Sequence, residues 1–237
     1  MIRQTRLVEV RQNVLKKNDV VARALRGRFH DAGVYVVSLV SSPGAGKTML
    51  LERTLSLLAC EHRVAALVGD LATDNDARRL ARANVPVRQI TTGAVCHLEA
   101  EMVEQSLGDW DLAALDFLFI ENVGNLVCPS TYDLGEDLRL VLFSVTEGED
   151  KPLKYPTIFN TADIAVISKL DLAAACDCDL EAARRNIQAV RPGMQTFELS
   201  AKTGQAMDGW LDFLRQQLPG RGDKPSAADA LAAREPR

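Results

Sequence analysis

Residues 41–48 have the composition and spacing of a loop that binds the phosphates of a nucleotide. They read SSPGAGKT, follow an apolar run and open a helical pattern, with Ser41 where the usual pattern begins with glycine. In such a loop the backbone N–H groups surround the phosphates, the lysine reaches the β- and γ-phosphates and the last hydroxyl ligates Mg²⁺. The sequence therefore predicts a nucleoside triphosphatase. The residues predicted to form its phosphate site are Ser42, Gly44, Ala45, Gly46, Lys47 and Thr48.

Two acidic residues stand just after other apolar runs, where the strands of a parallel sheet meet their ligand. Glu121 lies three residues before Gly124. In nucleotide switches such an acid holds Mg²⁺ or its water, and such a glycine N–H senses the γ-phosphate. Asp70 is placed to approach the metal ion or the attacking water. The predicted catalytic residues are Lys47, Asp70 and Glu121, and the predicted Mg²⁺ ligands are Thr48, Asp70 and Glu121.

Two motifs near the C-terminus predict guanine as the base, and hence GTP and GDP as the nucleotides. The carboxylate of Asp171 can accept hydrogen bonds from the N1–H and the exocyclic amine of guanine, a pair that adenine does not offer. Lys169 is expected to cover the base and brace the phosphate loop. The motifs resemble the Asn-Lys-x-Asp and Ser-Ala-Lys motifs of GTPases, but Ser168 replaces the asparagine, which is expected to weaken a hydrogen bond to the base or the loop. The further predicted nucleotide contacts are Gly124, Lys169, Asp171, Ser200, Ala201 and Lys202.

Cys96, His97 and Cys128 offer ligands for a transition metal ion. Thiolate and imidazole suit Ni²⁺ or Zn²⁺, whereas Mg²⁺ prefers oxygen. Three ligands leave the coordination incomplete, so that metal exchange or the pooling of ligands between two chains is open. Cys128 lies four residues after Gly124, and nucleotide state is therefore expected to control metal affinity. The alternative is that both cysteines are small buried apolar residues and that His97 is a core or capping residue.

The elements that must position these residues alternate along the chain. Residues 7–30 have the spacing of an amphipathic helix. Short β-branched runs then alternate with helical patterns, which predicts an α/β fold of the P-loop NTPase type, with a mostly parallel sheet and helices on both faces. Strands are predicted over 34–40, 64–68, 87–90, 117–120, 138–145, 164–167 and 196–199, and helices over 47–60, 74–83, 97–107, 179–190 and 206–217. The predicted organisation is an N-terminal helical extension over 1–32, a GTPase domain over 33–218 and a disordered tail over 219–237.

Charge and composition limit the function classes. The chain has 237 residues and a net charge of −4, which provides no basic field for nucleic acid. No apolar stretch approaches the roughly 18 residues of a membrane span, and the basic N-terminus lacks the apolar region of a secretory signal, so a cytoplasmic protein is expected. Five cysteines without a disulfide pattern suit free thiols or metal ligands in a reducing compartment. Cys176 and Cys178 lie outside the motifs and are interpreted as incidental exposed thiols.

Five segments together resemble the HypB family of hydrogenase nickel-incorporation GTPases. They are residues 41–48, 69–76, 92–98, 121–129 and 144–156, within a resemblance that extends from residue 7 to residue 218. The resemblance implies a P-loop GTPase that forms a homodimer through nucleotide and works with a HypA-like metallochaperone to deliver Ni²⁺ to the large subunit of NiFe-hydrogenase. It also implies that Cys96, His97 and Cys128 form a metal site at the dimer interface and that Lys154 contacts the partner chain.

The chain departs from many family members in two ways. It lacks their N-terminal cysteine cluster or histidine-rich stretch, and it has Glu101 where some members have histidine. High-affinity nickel storage is therefore not expected, and slow intrinsic hydrolysis is expected because no glutamine is placed to orient the attacking water. Two other function classes stay open: a GTPase of another metalloenzyme-maturation pathway, of the urease or cobalamin type, and a non-catalytic metal-binding module with a vestigial nucleotide site.

Overall fold

The fold is described for residues 2–70, 80, 83–93 and 95–218 of a computed structural model, with side chains from residue 13 onward. The helices of this part are α1 (Ile2–Ala32), α2 (Lys47–Leu58), α3 (Ala100–Leu107), α4 (Lys151–Lys154), α5 (Pro156–Thr161), α6 (Leu180–Val190) and α7 (Met207–Gln216). The strands are β1 (Tyr35–Ser41), β2 (Val64–Asp70), β3 (Val87–Thr91), β4 (Phe117–Glu121), β5 (Leu138–Ser144), β6 (Ile164–Ser168) and β7 (Gln195–Glu198). The predicted tail over 219–237 and most of the predicted helix over 74–83 lie outside the described residues.

The seven strands form one parallel sheet in the order β3-β2-β4-β1-β5-β6-β7. Each predicted strand is present, and its ends lie within two residues of the predicted ends. The α/β fold with a parallel sheet is therefore confirmed. Since β1 lies between β4 and β5, the loops that follow these three strands meet at one edge of the sheet. The phosphate loop, Glu121 and the segment after β5 are brought together in this way.

Helices cover both faces of the sheet, which explains why its central strands are almost continuously apolar. Alternate residues of a strand point to opposite faces. On one face, Val37 and Leu39 of β1 belong to a core formed with α2 and α7. On the other face, Val36 packs with α1 and α3, and Val40 with α5 and α6. None of the helices in the described part of the chain combines the length and the apolar character that crossing a membrane requires.

Helix α1 is longer than the sequence pattern predicts and packs against the sheet and α3 through its C-terminal half. Ala22, Leu25 and Phe29 are fully buried there, and their spacing of three and four residues places them on one helical face. One turn earlier, Asn18 is only 6% exposed. A buried amide needs hydrogen-bond partners, and this one finds them at the start of α3, Ala100, and in the segment after Cys128, Asp133.

Three aspartates lie at the ends of the strands that are opposite the phosphate loop. An aspartate directly precedes each of β4, β5 and β6 and accepts a hydrogen bond from a backbone N–H of the neighbouring strand or of the residue before it. The pairs are Asp116 with Arg63, Asp137 with Val36 and Asp163 with Arg139, at 2.8, 2.8 and 2.7 Å. Backbone donors that the parallel ladders leave unpaired are thereby satisfied.

Two parts of the helix prediction differ from the structure. The helix predicted over 97–107 begins only at Ala100, because the backbone of Glu99 is extended, with φ −113° and ψ 154°. The short helices α4 and α5 were not predicted. Each has a proline in its first turn, and proline is both a helix breaker and a favoured first residue.

Candidate nucleotide and metal site

The phosphate loop connects the end of β1 to the start of α2. Gly44 and Gly46 have φ angles of 76° and 102°, a backbone conformation that residues with a Cβ rarely adopt. Lys47 opens α2, is 7% exposed and donates a hydrogen bond to Ser41 Oγ at 2.9 Å. Ser41 donates in turn to the carbonyl oxygen of Ser42 at 2.6 Å. The serine that departs from the usual pattern therefore contacts the lysine of its own loop.

Oxygen ligands converge beside the start of α2. Thr48 Oγ1 donates a hydrogen bond to Glu121 Oε1 at 2.7 Å, and Glu121 is 3% exposed at the end of β4. Asp70 ends the adjacent strand β2 and lines the same cavity. Hydroxyl and carboxylate oxygens are the hard ligands that Mg²⁺ prefers. This donor set fits Mg²⁺ bound next to nucleotide phosphates.

A cavity of about 630 Å³ lies beside the phosphate loop and the guanine motifs. Its volume is in the range of sites that hold small organic ligands. Asp70, Glu121 and all but two of the predicted nucleotide contacts line it, namely Gly44, Gly46, Lys47, Thr48, Gly124, Lys169, Asp171, Ser200, Ala201 and Lys202. The two exceptions are Ser42 and Ala45, which are 9% and 1% exposed. Leu172 and Leu199 add apolar lining that the sequence reasoning did not single out.

The two guanine motifs are joined to each other and to the phosphate loop. Ser200 Oγ donates to Asp171 Oδ1 at 2.5 Å, which fixes one oxygen of that carboxylate. Lys169 has a left-handed backbone (φ 58°) and its Nζ donates to the carbonyl oxygen of Gly44 at 2.7 Å. Ser168 Oγ lies 2.6 Å from the carbonyl oxygen of Ala45. The serine that replaces asparagine thus keeps a hydrogen bond to the phosphate loop, where the sequence led us to expect a weakened one.

Cys96, His97 and Cys128 form a cluster, with one ligand atom of each residue within 4.8 Å of the others. The two sulfur atoms are 2.8 Å apart. The His97 ring lies against Tyr132, with 3.9 Å between the ring centroids. Burial lowers the pKa of His97, although nearby Glu99 opposes the shift. This shift favours the neutral imidazole, which is the form that binds metal ions. The cluster fits Ni²⁺ or Zn²⁺ in its donor chemistry.

Comparison with known proteins identifies the family. A sequence model of the "CobW/HypB/UreG, nucleotide-binding domain" matches residues 35–198. The hydrogenase maturation factor HypB of Azotobacter vinelandii is 45% identical over 214 residues, which cover 90% of this chain and 71% of that protein. The chain belongs to the HypB family. The hydrogenase/urease maturation factor HypB of Helicobacter pylori strain 26695 is 40% identical, with 89% of this chain and 88% of that protein covered.

Two HypB structures share the fold. The hydrogenase maturation factor HypB of Archaeoglobus fulgidus superposes with a TM-score of 0.80 at 38% identity, covering 86% of this chain and 99% of that chain. HypB from Helicobacter pylori in complex with nickel superposes with a TM-score of 0.81 at 40% identity, covering 88% and 98%. The chain is thus a nucleotide-binding P-loop protein of the HypB family over almost the whole length of these structures.

Glu147 of this HypB chain contacts the phosphate loop, and the sequence reasoning missed it. Its Oε1 is in close contact with Ser42 Oγ and lies 3.0 Å from Lys151 Nζ, and its Oε2 accepts the N–H of Ser144 at 2.8 Å. The carboxylate therefore joins the phosphate loop to α4. A serine followed three residues later by glutamate is a capping-box signature, and that signal could have drawn attention to Glu147 although not to its contact with Ser42.

Several other residues singled out from the sequence lie outside the cavity and the cysteine–histidine cluster. Lys154 is exposed and forms an ion pair with Asp150 at 2.6 Å. Glu101 points to α1, where it pairs with Lys17 at 2.8 Å. Cys176 is exposed, and burial raises the pKa of the partly buried Cys178 thiol, which disfavours the thiolate that metals bind. The HypB resemblance alone indicates the role of Lys154.

Proposed function

We propose that this HypB-family protein is a GTP-hydrolysing metallochaperone that binds Ni²⁺, or Zn²⁺, and helps to insert nickel into the large subunit of NiFe-hydrogenase. The observation that supports it most is the adjacency of two sites of different chemistry. One short segment, residues 121–128, contributes Glu121 and Gly124 to the cavity and Cys128 to the thiolate and imidazole cluster. A protein that only hydrolysed nucleotide would have no need of that cluster.

The residues around the phosphate loop support the proposed hydrolysis. Lys47 and the loop amides stabilise the negative charge that develops on the transferred phosphoryl group. Thr48, Asp70 and Glu121 would hold Mg²⁺, which would supply positive charge to neutralise the nucleotide phosphates. Asp70 is also placed to orient the attacking water. Slow turnover is expected, as in switches whose output is a changed surface.

Guanine selectivity rests on the pair Asp171 and Ser200. The hydroxyl of Ser200 holds Asp171 Oδ1, which leaves the carboxylate to accept from the N1–H and amine of guanine. Lys169 and Lys202, which belong to the two guanine motifs, also line the cavity. An adenine nucleotide would leave the carboxylate without donors, and such unpaired buried groups reject the wrong ligand strongly.

Nickel is the proposed cargo of the cysteine–histidine cluster. Three protein ligands leave a coordination position that a further ligand can occupy. The nickel complex of Helicobacter pylori HypB supports Ni²⁺ as the metal, while Zn²⁺ suits the same donors. A homodimer could complete the coordination by pooling ligands across a two-fold axis. Val127 and Leu153 support this, because these large apolar side chains are 63% and 51% exposed next to Cys128 and Lys154.

Nucleotide state is proposed to control the metal site through Gly124. A Cβ at this position would lie 3.0 Å from Pro43 Cα, so the segment that ends at Cys128 lies directly against the phosphate loop. A γ-phosphate bound by that loop is therefore expected to move Cys128 relative to Cys96 and His97. Metal affinity should then differ between the GDP and GTP states.

The remaining proposals concern partners and setting. We infer a HypA-like metallochaperone and the hydrogenase large subunit as partners, nucleotide- or metal-dependent homodimerisation, and action in the cytoplasm, where thiolate ligands stay reduced. No role with nucleic acid or membranes is proposed. Within the chain we infer an N-terminal helical extension over 1–32 and a GTPase domain with the metal site over 33–218.

GTP turnover tests the catalytic part of the proposal. Lys47→Ala should abolish hydrolysis above background, whereas Lys16→Ala on the exposed surface of α1 should leave it unchanged. Equal rates for wild type and Lys47→Ala would instead identify a metal-binding module with a vestigial nucleotide site.

Metal titration tests the coupling between the sites. Ni²⁺ and Zn²⁺ affinities are measured with GDP and with a nonhydrolysable GTP analogue, for wild type, for Cys128→Ser and for the control Cys176→Ser. Wild type and Cys176→Ser should show affinities that depend on nucleotide, and Cys128→Ser should lose that dependence. If Cys128→Ser and wild type behave alike, the coupling is wrong.

Two further assays address partners. Dimer formation with the GTP analogue should fall for Lys154→Ala and not for Lys16→Ala, and unchanged assembly would remove the role given to Lys154. Relatives from Helicobacter are named hydrogenase/urease maturation factors, so pull-downs should compare hydrogenase and urease components. Recovery of urease components alone would favour the other maturation pathway.

A further inference from the structure

Asparagine side chains link the loop of Cys96 and His97 to the segment of Cys128. Asn125 donates to the carbonyl oxygen of Cys96 at 3.3 Å and accepts from the N–H of Val127 at 2.8 Å. Asn122 accepts from the N–H groups of Leu98 and Val123, at 3.0 and 2.9 Å. These two amides belong to the same segment as Cys128, and each joins it to the other loop.

Asn18 makes a third link of the same kind, from a distant part of the chain. Its Oδ1 accepts from the N–H of Ala100 at 2.8 Å, and its Nδ2 donates to the carbonyl oxygen of Asp133 at 2.8 Å. Ala100 follows Cys96 and His97, and Asp133 follows Cys128. Tyr132, the residue before Asp133, also contacts the His97 ring, with 3.9 Å between the ring centroids.

From this geometry we infer that Asn18 is a positioning residue for the metal ligands, so that metal affinity depends on the position of helix α1. The inference rests on the metal site of the proposed function. Metal binding requires ligand atoms held to within a few tenths of an ångström. Neither ligand loop belongs to the sheet, so its strand ladders do not fix their spacing.

The chemistry of the side chain explains why an amide occupies this position. Asparagine provides both a donor and an acceptor. Here the first residue of α3, directly after the loop of Cys96 and His97, supplies an N–H, and the segment after Cys128 supplies a carbonyl oxygen. Aspartate could accept from Ala100 but could not donate to Asp133, while alanine could do neither. A displacement of α1 relative to α3 would therefore change the separation between the loops.

The rest of α1 is anchored without Asn18. The apolar residues Ala22, Leu25 and Phe29 are fully buried, and Arg26 donates to Asp133 Oδ1 at 2.7 Å. Lys17, the neighbour of Asn18, joins α1 to α3 only through an exposed ion pair with Glu101. Lys17→Ala is therefore a matched control: it removes only this exposed ion pair, which contributes little to the position of α1, and leaves both ligand loops untouched.

The experiment measures the Ni²⁺ and Zn²⁺ dissociation constants of the full chain by competition with a chromophoric chelator. Changes to residues that orient metal ligands typically weaken affinity by 10- to 100-fold. Asn18→Ala and Asn18→Asp should weaken binding by about tenfold or more, with an altered thiolate-to-nickel absorption band. GDP affinity without added transition metal should stay at the wild-type value, as should both metal affinities of Lys17→Ala.

A measurement on wild type covers the case in which both variants fail to fold. Ni²⁺ loading should slow hydrogen exchange of the Ala100 N–H, because a metal ion that fixes the two loops also fixes the bond from this N–H to Asn18. Unchanged exchange at Ala100 would overturn the inference, as would wild-type metal affinity in folded Asn18→Ala. If wild type itself binds neither metal ion, the metal site of the proposed function falls together with the inference.

Discussion

Gly124 provides the sharpest test of contact between the phosphate loop and the segment that follows β4. A Cβ at this residue would lie 3.0 Å from Pro43 Cα, 3.1 Å from Pro43 N and 3.2 Å from Pro43 Cγ. Carbon atoms in favourable contact are about 3.5–4.0 Å apart. Because two of the three atoms belong to the backbone, Gly124→Ala must push the loop and the segment apart by several tenths of an ångström.

The size of the effect follows from the cost of overpacking, which is about 1–3 kcal/mol for an extra carbon in a tightly packed site. At 1.4 kcal/mol for each tenfold change in an equilibrium constant, this corresponds to about 5- to 150-fold in affinity. Gly124 N–H is proposed to meet the γ-phosphate, which GDP lacks. The loss should therefore be larger for a nonhydrolysable GTP analogue than for GDP.

The assay is titration of fluorescent GDP and of a fluorescent GTP analogue. Gly27→Ala is the control, because a Cβ there meets nothing within 4 Å and alanine is the better helix former. Gly27→Ala should bind both nucleotides as wild type does. Equal losses for GDP and the analogue with Gly124→Ala, or no loss, would refute the proposal that this glycine distinguishes the two nucleotide states.

Three further predictions concern base choice, stability and pH. Asp171→Asn exchanges a charged acceptor for an amide, so the free energy of GTP binding should weaken by about 1.5–3 kcal/mol. Binding of xanthosine triphosphate, whose base has a carbonyl in place of the amine of guanine, should improve. Competition binding measures both affinities. Thr54→Val removes the hydroxyl that accepts the hydrogen bond of the buried Trp210 Nε1 at 3.0 Å. The loss should lower the free energy of unfolding by about 1–3 kcal/mol, as measured by urea titration. An unchanged urea midpoint would contradict this prediction. Burial, with the charges of two nearby aspartates, raises the pKa of Tyr35 to about 12. Tyrosine in the unfolded chain titrates near pH 10. The stability that depends on neutral Tyr35 is therefore present below about pH 10 and lost as the pH rises to 12. Between these pH values the melting temperature of Tyr35→Phe should fall less than that of wild type.

Features that depend on neighbouring residues could be predicted from the sequence, whereas contacts between distant residues could not. The phosphate loop was recognisable because its function depends on consecutive residues, and the strands because buried parallel strands are continuously apolar. The contact of Glu147 with Ser42 joins residues 105 positions apart, and no local pattern predicts such a meeting. The start of α3 was misplaced because Glu99 has an extended backbone, which the residue types alone did not reveal. Helices α4 and α5, of four and six residues, are too short to show helical periodicity.

The cysteine–histidine cluster lies between these extremes. Its residue types and their nearness to Gly124 predicted a metal site, and the structure brings the three ligand atoms within 4.8 Å of one another. The amides that hold the two loops together could not have been predicted, because asparagine is common in loops and its partners here are backbone groups. Asn18 is the extreme case, since it comes from a helix 78 residues before Cys96.

The aspartates that precede β4, β5 and β6 have a mechanical consequence for the proposed cycle of nucleotide states. Each anchors its strand to a neighbour at the edge far from the ligand, so the relative alignment of the central strands does not depend on the loops at the other end. Those loops can then rearrange during the proposed cycle of GTP hydrolysis while the sheet keeps its register.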